Sequence, residues 1–171
     1  RPGRQEASPA PKESAAVRAV LMCAGLGGAA PVALGQASFQ ALPVLPGGNF
    51  SSAHAISGDG LTVVGESGIT GVHHAFRWTQ LGGMSDIGVL PGASSSSASG
   101  VSLDGTIVVG ASGSRAFLWT KEGGLRDLGL LPGGAASGAA AVSDDGTAVV
   151  GFCTTPQGTR SFRWPASAGM A

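Results

Sequence analysis

The stretch HHAFRWTQLGGMSDIGVLPG (His73–Gly92) returns 41 residues later as SRAFLWTKEGGLRDLGLLPG (Ser114–Gly133). A block that repeats its turns, aromatics and exit in one order marks a supersecondary unit that buries its apolar face by stacking on its neighbours. Three markers give three copies. LPGG at Leu45 returns as LPGA at Leu90 and LPGG at Leu131. GDGLTVVG from Gly58 returns as LDGTIVVG and DDGTAVVG from Leu103 and Asp144, and AFRWT from Ala75 as AFLWT and SFRWP from Ala116 and Ser161. The first two markers recur after 45 and then 41 residues, the aromatic one after 41 and then 45. One difference causes the switch. Between VVG and the aromatic run lie nine residues in copies one and three (66–74, 152–160) and five in copy two (111–115). The natural reading is a loop of variable length on a fixed frame.

Within a copy the pattern spells four short strands. SAHAIS (Ser52–Ser57) meets an Asp59-Gly60 turn and then LTVVGES. Asp-Gly between two strand-like runs predicts a two-residue hairpin turn with positive φ at both positions. Alternation in HAFRWT places Phe76 and Trp78 on one face, and predicts burial of Phe117 and Trp119 in the central copy. Adjacent valines in VVG point to opposite faces, so sheet packs on sheet. The fourth strand, MSDIGVL, ends at Pro91-Gly92. Four strands in about 41–45 residues is the length of a propeller blade, and also of one lobe of a trefoil. The expected fold is all-β: three four-stranded antiparallel repeats (about 45–88, 89–129 and 130–171) forming a partial β-propeller. A closed threefold β-trefoil or β-prism is the alternative. SFQALPVLPGG from Ser38 matches a fourth strand and its exit, and Gly169-Met170-Ala171 matches the start of one. The expectation is therefore a piece of a longer array, in which first and last strands share a blade.

Residues 1–37 read differently. Arg18 precedes AVLMCAGLGGAAPVAL (Ala19–Leu34), and no charge follows until Asp59. This apolar run is shorter than the roughly twenty residues of a membrane span. A basic flank, a short apolar core and the small residues Gly35 and Ala37 predict an export signal cut near Ala37. Such a cut would remove Cys23 and leave Cys153 alone, so the fold must hold without a disulfide. Residues 38–171 carry six basic and eight acidic side chains, which argues against a nucleic-acid partner.

The unit S-x-A-x-x-(I/V)-S-x-D-G-x-x-V-V-G … H-A-F-x-W-T … G-G-(M/L)-x-D-(I/L)-G-x-L-P-G resembles the exported bacterial HAF repeat family, over residues 42–170. The tripeptide that names the family stands at His74-Ala75-Phe76; Arg115 and Arg160 replace the His in the other copies, and Ser161 replaces the Ala. The resemblance implies a secreted or surface-associated, propeller-like repeat protein, and brings no catalytic residues with it.

The side chains weigh against chemistry. His54, His73 and His74 are the only histidines. Neighbours on a strand point to opposite faces, so His73 and His74 are a poor metal pair. Asp59, Asp104 and Asp145 are explained by their turns rather than by calcium; Asp86 and Asp127 are expected to bond a neighbouring turn. No phosphate loop or nucleophile elbow is present. No cofactor or metal is expected, and Cys153 reads as a small core residue. Binding is expected at positions that differ between copies: His54, Ser99 and Ala140 in the first strand, and His73, His74, Arg115, Thr155, Gln157 and Arg160 in the unequal segments. The expectation is an exported, non-enzymatic scaffold for a protein or a cell-surface polysaccharide, with no membrane span in the mature chain. A lectin-like module and a propeller-type extracellular enzyme are the alternatives.

Overall fold

The computed structural model describes residues 39–69 and 71–165. These form eleven strands and no helix: β1 (Phe50–Ile56), β2 (Thr62–Ile69), β3 (Val72–Thr79), β4 (Gly83–Gly88), β5 (Ser96–Val101), β6 (Ile107–Ser112), β7 (Arg115–Thr120), β8 (Gly124–Gly129), β9 (Ala136–Val142), β10 (Ala148–Thr155) and β11 (Gly158–Pro165). They make three separate antiparallel meanders, β1-β2-β3-β4, β5-β6-β7-β8 and β9-β10-β11. Each sequence copy is one blade, and the blades stack face to face without closing into a trefoil or prism. The export segment, Cys23 and the stretch Gly169–Ala171 lie outside the described residues.

The Asp-Gly turns differ from the two-residue form. In the first, Gly60 N–H donates to the Ser57 carbonyl (2.9 Å) and Ser57 N–H to the Thr62 carbonyl (2.8 Å), so four residues separate the last paired ones. Gly60 takes the positive φ (+73°). The Asp acts through its side chain: the Asp59 carboxylate accepts the Ser57 hydroxyl and the Leu61 N–H. Asp104 and Asp145 hold Ser102 and Ser143 in the same way, and also Thr106 and Thr147. Side-chain acceptance of that kind stabilises a wider turn than the dipeptide alone requires.

These bonds favour the charged carboxylate. The serine hydroxyl first, then the backbone N–H, hold Asp59 and Asp104 below the usual 3.8 and Asp145 at about 2. A pKa lowered on folding contributes stability that is complete above the unfolded value and lost as pH falls through the folded one. For Asp145 that window runs from 3.8 to about 2. Asp145→Asn, which keeps an oxygen acceptor but cannot titrate, is expected to flatten this part of the acid-unfolding profile. Identical pH slopes for variant and parent would refute the assignment.

The unequal segments are hairpin arms rather than loops. Ile69 pairs with Val72, Ser112 with Arg115 and Thr155 with Gly158, so each hairpin closes over two residues. The extra four residues in blades one and three add two to each arm.

Two apolar seams hold the blades together. Val64, Ala75, Ile87, Leu90, Ala98, Val108 and Phe117 fill the first; Val109, Ala116, Leu118, Leu128, Ala139, Val149, Phe162 and Trp164 fill most of the second. Serines staple the seams. Ser96 accepts the Ala75 N–H and donates to the Gly88 carbonyl, and Ser137 does the same for Ala116 and Gly129. Phe117 is fully buried as expected, but Trp119 is only half-buried. Its counterpart Trp164 is buried, with the Arg126 guanidinium 4.9 Å from the ring centroid. Position 85, which corresponds to Arg126, is a serine too short to give Trp119 the same cover.

Residues 39–45, expected to act as a fourth strand, are in no sheet, and among the described residues β11 pairs only with β10.

Candidate functional site

One end of the array carries the LPG turns and the hairpin tips, and there two blades form the same cleft. In blade one it is lined by Leu45, Pro46, Ser67, Val72, His74 and Asp86 with the turn glycines, and measures about 270 Å³. In blade two it is lined by Leu90, Pro91, Ser112, Ser114, Arg115 and Asp127, and measures about 420 Å³. Leu, Pro, Ser and Asp recur at matching positions. The basic residue at the mouth differs, His74 against Arg115, and so do Gly48 and Val72 of the first lining against Ala93 and Ser114 of the second.

The turn is hung from the sheet by its serine. Ser67 Oγ accepts the Leu45 N–H (2.9 Å) and donates to the Phe50 carbonyl (2.8 Å); Ser112 Oγ accepts from Leu90 (2.9 Å) and donates to Ser95 (3.2 Å). Cys153 takes this place in blade three, fully buried, as a small core residue. At the cleft mouth, His74 Nδ1 lies 2.8 Å from Asp86 Oδ2, and Arg115 Nη1 lies 3.3 Å from Asp127 Oδ2. The second oxygen of each Asp accepts the N–H of Gly88 or Gly129 at 2.7 Å. The Asp therefore bonds a glycine of its own strand and a base on the next strand, not a neighbouring turn. Its position is fixed from both sides.

Ser67, His74 and Asp86 line one cleft, a set of residue types that serves nucleophilic catalysis elsewhere. The hydroxyl proton of Ser67 is committed to a backbone carbonyl, and Ser112 makes the same bonds where no histidine is present. Its work is to hold the turn. Among the described residues no group of three or more His, Cys, Asp or Glu is placed to hold a metal.

The other candidate residues separate. His73 faces away from His74, its Nε2 3.5 Å from Glu66 and its ring edge-on to Phe50 at 6.5 Å. His54, Ser99 and Ala140 occupy the bulge of β1, β5 and β9, where the register slips by one. An extra, unpaired residue re-aims its side chain, and His54 Nδ1 uses this to reach the Ala98 carbonyl of the next blade at 2.9 Å. Arg160 turns back on its own hairpin, donating to the Thr159 and Gln157 carbonyls (3.3 Å each). Thr155 closes the same hairpin through Gly158 (2.8 Å). Only His74 and Arg115 of the candidates meet equivalent clefts. Sequence reasoning missed the Asp partners as cleft residues, although a constant spacing of twelve from base to Asp was readable.

At the opposite end, a cleft of about 520 Å³ lies among Asp59, Leu61, Thr62, Arg77, Thr79, Gln80, Leu81 and Asp104. Arg77 spans it, with Nε to the Gly105 carbonyl (3.0 Å) and Nη2 to Thr62 Oγ1 (3.2 Å). It ties blade one to the turn of blade two, a structural task that accounts for its partial burial.

Stacked antiparallel meanders, two of four strands and one of three among the described residues, with a repeated end-face cleft define a propeller-type β-repeat domain. No family model matches the chain, and no curated protein matches it. Among solved structures it is similar to the crystal structure of TolB from Acinetobacter baumannii, with 18% identity and a TM-score of 0.44 over 72% of this chain. The chain spans about a third (34%) of the length of that protein.

Proposed function

We propose that the chain is an exported, non-enzymatic scaffold of the HAF repeat type, which binds a protein partner across the end face formed by the LPG turns and hairpin tips. The observation that carries this reading is the matched pair of clefts. Their backbone and carboxylates are equal, while the base at the mouth and the length of the adjoining arms differ. Equal frames with unequal contacts suit an irregular protein surface. Their partners are presented by rigid strands, which limits the entropy lost on binding. The basic-apolar-small segment of residues 1–37 supports export, and among the described residues no helix is long and apolar enough to cross a membrane.

A second reading, a lectin-like module for a cell-surface polysaccharide, is favoured by the one-to-one match of Leu, Pro, Ser and Asp in the two clefts, since a repeating polymer suits repeating sites. One exchange separates them. The short segment 111–115 replaces 66–74 and 152–160, and the product is tested against a displayed peptide library and a glycan array. Because all three hairpins close over two residues, stability should change by less than about 1 kcal/mol. Loss of peptide binding with the fold intact supports the protein-scaffold reading. Glycan binding that survives the exchange unchanged replaces it with the lectin.

A further inference from the structure

At the end opposite the LPG turns, the seam between blades one and two opens into the cleft of about 520 Å³. The equivalent place between blades two and three is built from other chemistry. Thr62 and Arg77 form the floor of the cleft, whereas their counterparts Ile107 and Leu118 pack into the second apolar seam. Leu61 and Leu81 form its rim, the first 61% exposed and the second wholly so. Their counterparts are Thr106 and Glu122. Between blades two and three the order is the ordinary one, apolar below and polar above. Between blades one and two it is inverted. A single exposed leucine needs no explanation, but two that flank a cleft with a polar floor present apolar surface that the fold does not use.

The turn at the edge of this cleft also departs from the other two. In blades two and three a threonine hydroxyl bonds both carboxylate oxygens of the turn Asp. Thr106 meets Asp104 at 2.8 and 3.0 Å, and Thr147 meets Asp145 at 2.9 and 3.0 Å. Leu61 has no hydroxyl to do the same. Asp59 Oδ1 accepts the Ser57 hydroxyl and the Leu61 N–H, and among the described residues no protein donor meets Oδ2. Asp104 lines the same cleft from the next blade. Hydrogen bonds, from the serine hydroxyl first, hold both carboxyls below the usual 3.8, so both are charged at neutral pH. Asp104 is close enough to oppose the charge on Asp59. Neither has an ion-pair partner among the described residues. Arg77 does not supply one, because its Nε and Nη2 are directed to the Gly105 carbonyl and Thr62 Oγ1.

We propose that this cleft is a second binding site, for a peptide segment of a partner protein in which a lysine or arginine stands beside an aliphatic residue. The aliphatic side chain packs between Leu61 and Leu81, and the cation meets Asp59 Oδ2 with Asp104 behind it. The cleft volume lies within the roughly 300–1,000 Å³ of small-ligand sites, room for side chains rather than for a folded surface. A bare cation would use the carboxylates and leave the leucines wet. A wholly apolar chain would cover two charges without pairing them, which costs free energy. A basic side chain next to an aliphatic one uses both. Blade one gives up a turn bond and exposes apolar area at the same place, the trade of stability for contact that binding sites make. The site lies at the other end of the blades from the LPG clefts and rests on no part of the function proposed for them.

The test is a displayed random peptide library, selected on the 171-residue chain and counter-selected on a Leu61→Thr/Leu81→Glu variant, which carries the blade-two residues. Counter-selection removes peptides that bind the LPG end. The retained sequences should place Lys or Arg beside Leu, Ile, Val or Met. A terminally blocked synthetic copy, titrated by fluorescence anisotropy, should bind Leu61→Thr about 10-fold or more weakly than the parent, and should weaken as salt rises. In urea, Leu61→Thr should be at least as stable as the parent, because the new hydroxyl can bond Asp59 as Thr106 bonds Asp104. The loss is then one of contact and not of fold. Asp145→Asn, a change in the same turn outside the cleft, should bind as the parent does. If Leu61→Thr does not fold, Leu81→Glu decides alone, since that side chain is wholly exposed. Equal enrichment on parent and double variant, retained sequences without a basic residue, or self-association of the chain that the double variant abolishes would overturn the proposal.

Discussion

Phe117→Ala is expected to cost about 3–5 kcal/mol in equilibrium urea unfolding, the range for removing a fully buried aromatic ring. Phe117 comes from the third strand of the central blade and fills the seam with blade one, among Val64, Ala75, Ile87, Leu90, Ala98 and Val108. None of its surface reaches solvent. The cavity would open between sheets whose backbones are fixed by their own ladders, so collapse around it is restricted. That loss is a large part of a typical domain stability of about 5–15 kcal/mol. Trp119→Ala should cost clearly less, because Trp119 is only half-buried at the edge of the same seam. Equal losses at the two positions would show that the seam is not packed as described.

The second large effect is expected at Gly110. A Cβ built there overlaps the carbonyl oxygen of Ser97 and presses on Cα of Ala98, both backbone atoms of the paired strand β5. The equivalent Gly65 and Gly151 meet the carbonyls of Ser52 and Gly138 in the same way. The cause is the bulge: the extra residue at Ser99 bends β5 toward β6 and leaves no room for a side chain. Gly110→Ala should therefore cost about 3 kcal/mol or more, at or above the upper end for overpacking, since a backbone cannot step aside as a side chain does. Gly58→Ala is the control. Its Cβ would strike only the end of the Leu103 side chain, which is exposed and free to rotate, so the change should stay within about 0.5 kcal/mol. Comparable losses for the two variants would remove the backbone clash as the reason for the glycine that ends each VVG.

The sequence by itself determined the repeat, the antiparallel meander within each copy and the order of turns. Each rests on local chemistry written three times: Asp-Gly at a chain reversal, alternation across a pleat, and Pro-Gly where a strand must stop. The apolar residues at Val64, Val109 and Phe117 were legible as core for the same reason. The tertiary structure decided what depends on how one sheet meets the next. The bulges at His54, Ser99 and Ala140 turn three variable positions into a shared feature of the first strand, and the segments 66–74 and 152–160 into extended hairpin arms. Burial of the repeated tryptophans was likewise set across a seam, by whether residue 85 or residue 126 is long enough to cover the ring. The clefts follow the same rule. His74 and Asp86 are twelve residues apart in the chain, and they become one site only because β3 pairs with β4 in a register shifted by the bulge at Ile87. Local sequence specifies where the backbone can turn and which face is apolar. Register shifts and cover from a neighbouring blade depend on contacts between distant residues, and only the packed sheets fix those.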